Sequence, residues 1–263
     1  MFDNLTAISA GEFWQFLQVF ARVTSLFVTA PVFGNREVPS QVKIALSAVI
    51  SFTVLPVVQS TLDKQVPADL YSTVSNLLIQ IAIGLLIGLV VSFLFVAVRV
   101  AGSIIDYQMG FTQASTFNPQ FNETVSPISN FQYQYSLVLY LLGNGHWLML
   151  AALVHSFVRL PAAQMIFNEN SRLVMTDLMF QFLVAGVQIA APSAAVLLIT
   201  DIAFALLNRA MPQMQVFYVG APVKILVGLT VVIAVIPLFT LVVGHLVISS
   251  PDDIFTALRA FHH

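Results

Sequence analysis

Apolar stretches of about 20 residues recur along the chain, and each is long enough to cross the roughly 30 Å hydrocarbon core of a membrane as a helix. Charged residues make up only 8% of the 263 residues, whereas hydrophobic residues make up 58%. A soluble protein carries about 25% charged residues, so this chain has too little polar surface to cover its apolar remainder. Lipid or other protein must cover that remainder, which predicts an integral membrane protein.

Six stretches are candidates for membrane helices. Their interiors are rich in Leu, Val, Ile, Phe and Ala and show no sustained alternation of period two, which favours helices over β-barrel strands. We therefore predict an all-α membrane protein that forms one continuous domain over residues 1–263. The six predicted segments are 13–33, 42–62, 74–98, 133–157, 180–207 and 223–248.

Proline positions predict where these helices stop, begin or bend. Pro56, Pro192 and Pro237 lie inside apolar runs and predict kinks or broken helices. Two polar intervals, 99–132 and 158–179, separate hydrophobic segments, and the run 110–120 within the first predicts a loop. The remaining prolines are expected at helix ends: Pro31, Pro39, Pro67, Pro119, Pro127, Pro161, Pro212, Pro222 and Pro251.

Charge and motif content exclude several classes of function. A formal net charge of −2 provides no basic field for nucleic acid, and the absence of cysteine removes disulfides and thiolate metal sites. No nucleophile, base and acid occur together, and no Gly-rich phosphate loop appears, so we predict no enzyme and no cofactor. Asp3 precedes the first apolar run without any Lys or Arg, so a cleaved signal peptide is not expected.

Four ionisable side chains lie within apolar segments, where a charge is costly and usually faces protein or water. Asp201 could relay protons or ions, or it could be a paired or helix-capping carboxylate with Arg22 as its partner. His155 and His245 are interpreted as interior or interfacial residues rather than metal ligands. The reason is that no second His, Asp or Glu stands at helical ligand spacing to either.

Two further pairs of residues have a pattern with physical meaning. Gly84 and Gly88 form a small-residue pair that lets another helix approach closely, within the chain or in a partner subunit. Met211 and Met214 flank Pro212. Flexible thioethers fit an irregular or moving surface, so these two residues either form a hydrophobic constriction of a pore or fill the core.

Four motifs occur in order along the chain, from about residue 13 to residue 239. They are Ala-Pro-Val-Phe-Gly at 30–34 with Val38, Pro39 and Lys43, the run 101–111 (Ala-Gly-Ser-Ile-Ile-Asp-Tyr-Gln-Met-Gly-Phe), Gly145-His146 through Ser156-Phe157 to Pro161, and the run 209–217 with Pro222 and Lys224. Together they resemble the FliR family of bacterial flagellar export proteins and its injectisome counterparts. One departure is the absence of a carboxylate at 76–80, where that family often has an acidic residue.

The resemblance implies a subunit of the flagellar type III export gate in the bacterial inner (cell) membrane, at the flagellar basal body. Such a subunit assembles with FliP and FliQ, its sister subunits, and with other membrane proteins of the export apparatus. Together they form a helical pore through which unfolded polypeptides are exported.

The resemblance also implies that the region from Asp106 to Gln120 forms a plug inside the pore, with Gln108, Met109, Gly110, Phe111 and Phe117 as its residues. The alternative is a re-entrant loop that packs without gating. For the whole protein the alternatives are a secondary transporter of a small solute or ion, with Asp201 and Arg22 near a midplane site, or a membrane enzyme. Neither the inverted repeat of a transporter nor the clustered carboxylates or histidines of an enzyme are evident in the sequence.

Overall fold

The computed structural model describes residues 10–34, 38–111, 126–161, 168–211 and 216–261, the last range as backbone only at 216–219. These residues are almost wholly helical and include no strand, which confirms the prediction of an all-α protein. A short 3₁₀ turn at Gln59–Thr61 extends the second helix. The seven α-helices of the described ranges are α1 (Ala10–Thr29), α2 (Ser40–Val58), α3 (Leu70–Met109), α4 (Pro127–Leu142), α5 (Gly145–Arg159), α6 (Glu169–Ala210) and α7 (Val216–Ala260).

Four of the described helices, namely α2 with its 3₁₀ turn, α3, α6 and α7, are long and apolar enough to cross a membrane. The helices α4 and α5 make a fifth if this bent pair is counted as one span. The predicted segment 133–157 is therefore two helices, separated at Gly143 and Asn144, where Asn144 is left-handed with φ 56°. The predicted segment 13–33 corresponds to α1, which ends at Thr29. This helix is less apolar than the four candidate membrane helices, because one of its buried faces is polar.

The long helices extend beyond the predicted apolar segments. The polar intervals 99–132 and 158–179 were predicted to separate hydrophobic segments, yet residues 99–109 continue α3, and α6 already begins at Glu169. Pro222 and Pro251 lie inside α7 rather than at a helix end. The helices also continue past the interior prolines: Pro56 in α2, Pro192 in α6 and Pro237 in α7.

Each long helix has an uncharged middle. Asp, Glu, Lys and Arg are absent from 70–98 in α3, from 178–200 in α6 and from 225–251 in α7. At 1.5 Å per residue these stretches measure about 35–45 Å, which is enough to cross the roughly 30 Å of hydrocarbon. The complete helices α3, α6 and α7 measure about 60–70 Å by the same rise, so each has ends beyond that thickness.

The chain divides into two compact units. The first contains 1–93, 144–178 and 249–263, and the second contains 94–143 and 179–248. The helix α3 contributes to both units, whereas α4 lies in the second unit and α5 in the first. The expectation of one continuous domain over 1–263 stays a prediction.

In the first unit, α1 packs closely against α3. Gly84 and Gly88 provide the close approach: a Cβ atom at Gly84 would overlap the Ser25 hydroxyl, and one at Gly88 would overlap the Thr29 hydroxyl. The small-residue pair therefore faces a helix of the same chain. The side of α2 that is buried is also small and polar: Ser47 and Ser51 are fully buried and donate to carbonyls one turn earlier in α2.

In the second unit, aromatic rings and small residues pack the helices together. The Phe95 ring of α3 lies edge-on to Tyr133 and Tyr140 of α4, with centroids 5.8 and 5.5 Å away. The Tyr135 hydroxyl lies 2.9 Å from the Thr240 hydroxyl of α7. Such pairs of hydroxyls across an apolar contact satisfy polar groups that hydrocarbon cannot.

The glycine contact predicts that replacement of glycine by alanine changes the stability of the protein differently at two positions. Gly84→Ala should lower the stability of the folded protein by about 1–3 kcal/mol, because the added methyl forces α3 away from α1. Gly244→Ala should be neutral or stabilising by about 0.5–1 kcal/mol, because its Cβ would meet no atom within 4 Å. The measurement is the thermal unfolding midpoint of the protein in its native membrane, followed by protease sensitivity, and equal midpoints for the two variants would contradict the packing described for α1.

Candidate functional site

One face of α1 is polar although it is buried. Gln15, Gln18, Arg22 and Ser25 recur at spacings of three and four residues, which places them on one side of a helix, and all four are buried. The Gln15 amide donates to the carbonyls of Gln59 and Leu62 at 3.2 and 3.0 Å. This polar face therefore holds the end of α2 as well as the groups described next.

Arg22 is the centre of this face and is completely buried. Its Nε donates to Oε1 of Gln80 in α3 at 2.7 Å, and its Nη1 donates to Oγ of Ser156 in α5 at 2.9 Å. The guanidinium carbon also lies 4.0 Å from the centroid of the Phe157 ring. One side chain of α1 therefore binds two other helices of the first unit through neutral acceptors and an aromatic face.

The remaining guanidinium contact is with the end of a helix. Arg22 Nη2 donates to the carbonyl of Leu160 at 3.3 Å, and Leu160 is the residue that follows the last turn of α5. The carboxyl end of a helix carries a partial negative charge on its unpaired carbonyls. The end of α5 thus provides part of the negative potential that a buried cation requires.

Asp106 is the corresponding buried anion of the second unit, with 1% of its surface exposed. Its Oδ1 accepts the backbone N–H of Ile128 at 3.0 Å, and its Oδ2 accepts the N–H of Ser129 at 2.9 Å. Those N–H groups belong to the first turn of α4, where the partial charge of a helix is positive. Asp106 of α3 therefore caps α4 with both of its oxygen atoms.

Two more contacts join α3 to α4 beside this cap. The Ser129 hydroxyl donates to the Arg99 carbonyl at 3.1 Å, and the Arg99 guanidinium lies 4.1 Å from the centroid of the Tyr133 ring. A Cβ atom at Gly102 would overlap the backbone of Ser129. Because Arg99, Gly102 and Asp106 recur every three to four residues, one face of α3 holds the first two turns of α4.

The residues predicted for the plug begin immediately after this contact. Met109 is buried in the second unit and packs against Gly228 of α7, whereas Gln108 and Phe111 are partly exposed. Gly110 adopts φ 87°, a left-handed conformation that favours glycine and ends α3. Phe117 lies outside the described residues.

Asp201 and Arg22 have separate partners. Asp201 Oδ1 lies 2.6 Å from Nζ of Lys224, so α6 and α7 are joined by an ion pair, whereas Arg22 is bound by neutral groups of the first unit. The suggested pair between Asp201 and Arg22 is therefore wrong, and Asp201 is a paired carboxylate. At the end of α6, Met211 is exposed, and Met214 lies outside the described residues.

His155 and His245 lie on exposed surfaces of two helices. The interior alternative is therefore wrong for both, and the interfacial one stays a prediction. The His155 ring lies 6.1 Å from the Phe255 ring. Within the described ranges no three His, Cys, Asp or Glu residues come together in a way that could hold a metal ion.

Sequence reasoning missed the partners of the buried charges. Gln80 and Ser156 are ordinary polar residues of apolar segments, separated from Arg22 by 58 and 134 positions. Asp106 had a weak signal, since a carboxylate near the end of one helix and Pro127 at the start of the next are a plausible capping pair. Lys224 belongs to the last of the four sequence motifs, but its partner Asp201 lies on another helix.

Long apolar helices, with buried charges that are held by helix ends in the described ranges, define an all-α integral membrane protein. The chain matches the family model described as "Bacterial export proteins, family 1" over residues 13–249. It therefore belongs to this family of bacterial export proteins.

Relatives with the name flagellar biosynthetic protein FliR support the same assignment. The protein of Escherichia coli (strain K12) is 32% identical over 234 residues, which cover 89% of this chain and 87% of the relative. That of Bacillus subtilis (strain 168) is 33% identical over 235 residues, with 87% and 88% covered. That of Pectobacterium carotovorum subsp. carotovorum is 31% identical over 249 residues, with 94% of each chain covered. The resemblance to the FliR family is confirmed, and the chain is a membrane-embedded component of flagellar export.

The Arg22 contacts predict that lysine cannot replace this arginine. Arg22→Lys should lower the stability of the protein by about 2–4 kcal/mol, because one compact ammonium cannot reach Gln80, Ser156 and Leu160 together and leaves buried acceptors unpaired. The measurement is again the unfolding midpoint in the native membrane. Arg172→Lys is the matched control, since Arg172 forms an exposed ion pair with Glu169 and its replacement should leave the midpoint unchanged. An unchanged midpoint for Arg22→Lys would contradict the role assigned to the three acceptors.

Proposed function

We propose that this chain is a non-enzymatic subunit of the flagellar type III export gate in the bacterial inner membrane, at the basal body. In that gate it assembles with FliP and FliQ into the pore that exports unfolded flagellar proteins. The observation that carries the proposal is the match to a family of bacterial export proteins over residues 13–249. The relatives are named for flagellar biosynthesis, which favours the flagellar system.

The exposed surfaces of the helices favour contact with a protein partner in addition to lipid. Large apolar side chains are widely exposed, as Phe52 on α2 and Leu241 on α7 are at 72% each. Polar side chains are exposed among them: Gln188 lies in the uncharged middle of α6, and His245 lies in that of α7. Hydrocarbon cannot hydrogen-bond to an amide or an imidazole, so these two positions favour contact with protein or with an aqueous cavity.

Helix length supports the same proposal. The helices α3, α6 and α7 contain 40, 42 and 45 residues, and lengths of about 60–70 Å exceed the roughly 30 Å of hydrocarbon twofold. Apolar residues continue along these lengths, for example Leu70 at one end of α3, which is 77% exposed. An assembly that extends out of the bilayer would cover such ends, because neighbouring subunits provide apolar contacts where lipid tails are absent.

Within this gate we assign the plug to the segment that begins at Gln108, Met109, Gly110 and Phe111 and includes Phe117. Met109 is held against α7 while Phe111 is partly exposed, so the described beginning of the segment is packed at Met109 and leaves the Phe111 ring partly accessible. Aromatic side chains can fill a lumen, and uncharged polar side chains present no fixed charge to a passing polypeptide. Met211 and Met214 are proposed as a hydrophobic constriction, which fits the exposure of Met211.

The first prediction from this proposal concerns assembly. Co-expressed with FliP and FliQ of the same bacterium, the chain should purify in one large hetero-oligomer, and expressed alone it should aggregate, because its exposed apolar and polar faces lack their partners. Native mass spectrometry of the detergent-solubilised material gives the composition. A monodisperse, stable monomer obtained without partners would overturn the proposal and would favour a small transporter.

The second prediction concerns the plug. Shortening 110–117 should let small molecules cross the membrane when no export takes place, because the segment no longer fills the lumen. The measurement is leak of a small solute across the membrane of cells that contain the assembled complex. If the segment only packs, its shortening should instead reduce the yield of the complex and leave the surviving complexes tight. Replacement of the exposed Ser103 by Ala in neighbouring α3 is the control and should change neither quantity.

A further inference from the structure

We infer that the second unit binds one water molecule in a small cavity between α4, α6 and α7, where the water donates a hydrogen bond to Oε1 of Gln132. The polar groups that hold it are the Gln132 amide and the Ser193 hydroxyl, and both residues line the cavity. The inference does not depend on the proposed function, because it requires neither a partner subunit nor an exported polypeptide.

The cavity is formed by side chains of three helices of the second unit. The helix α4 contributes Phe131, Gln132 and Tyr135, α6 contributes Ser193, and α7 contributes four apolar side chains that include Phe239. Its interior has room for about one water molecule. A molecule of that size in the cavity therefore touches the groups that line it.

Gln132 belongs to a buried face of α4 that is partly polar. Ser129, Gln132 and Ser136 recur at spacings of three and four residues, and all three are buried. Both serine hydroxyls have acceptors: Ser129 donates to the Arg99 carbonyl, and Ser136 donates to the backbone carbonyl one turn earlier. Gln132 is 6% exposed, and its Oε1 has no hydrogen-bond partner among the described residues. This face of α4 therefore has an acceptor that still needs a donor, and that acceptor lies at the cavity.

Water meets this need. An amide oxygen without a donor is unfavourable in an apolar interior, and buried waters typically bond to polar groups that lack other partners. One O–H of the water donates to Oε1 of Gln132. The Ser193 hydroxyl, which is 1% exposed and lines the same cavity, makes the second hydrogen bond. The two polar groups thus come from α4 and α6.

The lining also decides the class of ligand. Among the described residues, no Asp, Glu, Lys, Arg or His lines this cavity, so an ion there would lack an opposite charge. An apolar molecule would leave the amide oxygen unpaired, and a molecule much larger than water does not fit. A neutral hydrogen-bond donor of the size of water satisfies all of these conditions.

The bound water completes the polar contacts of α4 with its neighbours in this unit. The Tyr135 hydroxyl lies 2.9 Å from the Thr240 hydroxyl, so α4 is joined directly to α7 beside the cavity. Through the water, α4 is joined to α6 at Ser193. A hydrogen bond through water is nearly as favourable in enthalpy as a direct one, so the cavity is a site of attachment rather than a packing fault.

The experiment is X-ray footprinting of the full chain in its native membrane. A millisecond pulse splits water into hydroxyl radicals, which oxidise the side chains next to each water molecule, and mass spectrometry locates the oxidised residues. Phe239 is the reporter, because it lines the cavity and is 5% exposed. Phe182 is the internal reference, because it belongs to the same unit, is 6% exposed and does not line the cavity. A radical scavenger in the bulk solvent suppresses oxidation by radicals that diffuse in from outside.

We expect Phe239 to be oxidised several-fold faster than Phe182, with or without the scavenger. In Gln132→Leu, which keeps a similar volume but removes the amide, the oxidation of Phe239 should fall to the rate of Phe182, because the apolar cavity no longer holds water. Ser193→Ala should lower it partially. Ser136→Ala is the matched control: Ser136 is buried on α4, bonds within that helix and does not line the cavity, so the oxidation of Phe239 should not change.

Three results would overturn the inference. Equal oxidation of Phe239 and Phe182 in the unmodified protein would show a dry cavity. Loss of the Phe239 signal with the scavenger would show access of bulk solvent instead of a bound molecule. Oxidation of Phe239 that persists in Gln132→Leu would show that the amide does not hold the water. If Gln132→Leu does not reach the membrane, Ser193→Ala decides by the same measurement, and an unchanged rate in that variant counts against the site.

Discussion

The structure depends on the stabilisation of two charged side chains in the interior of an apolar protein. A buried ion without a partner is strongly unfavourable, and this chain has one buried cation, Arg22, and one buried anion, Asp106, among the described residues. Neither is matched by an opposite side-chain charge. Arg22 donates to the carboxyl end of α5, and Asp106 accepts from the amino end of α4. Helix ends carry about half an elementary charge of the required sign, and they replace the missing counter-ions.

The two helix ends that hold the buried charges are the outer ends of the segment 127–159. Asp106 accepts from the amino end of α4, and Arg22 donates to the carboxyl end of α5. The interruption at Gly143 and Asn144 separates α4 from α5, and each of these helices belongs to one compact unit. Each unit therefore contains the helix end that its buried charge requires. The polar face of α1 serves the first unit, and the terminal turns of α3 serve the second.

Much of the fold follows from the sequence, because apolar runs of helical length have few alternatives in a membrane. The ends of the helices do not follow as well. Arg99 suggests the end of an apolar helix, but its guanidinium stacks on Tyr133 and α3 continues to Met109. Pro222 suggests a helix end, but a proline in an apolar environment can be accommodated inside a long helix. The helix α7 begins at Val216 and continues beyond Pro222.

The contacts of the candidate site follow from the sequence even less well than the helix ends do. Gly84 and Gly88 indicated a close helix contact, since glycine spacing is a local property of one helix. The acceptors for Arg22 come from residues 80, 156 and 160, and only the folded chain brings these together. A composition-based interpretation can identify an ionisable residue that needs a partner, but it cannot choose among many neutral side chains and carbonyls. The suggested Asp201 partner was wrong for this reason: Lys224 was available on the adjacent helix.

The prolines inside the long helices have a consequence for the outer surface of the molecule. Each one removes the N–H that would bond to the carbonyl four residues earlier, which frees the backbone oxygens of Gln188 and Ile233 through Pro192 and Pro237. Both residues have exposed side chains. These two carbonyls therefore lack their usual helical donor in the middle of uncharged stretches, where hydrocarbon offers no donor either. At mid-helix in α6 and α7 the backbone itself, rather than a charged side chain, has an unmet need for a hydrogen-bond donor.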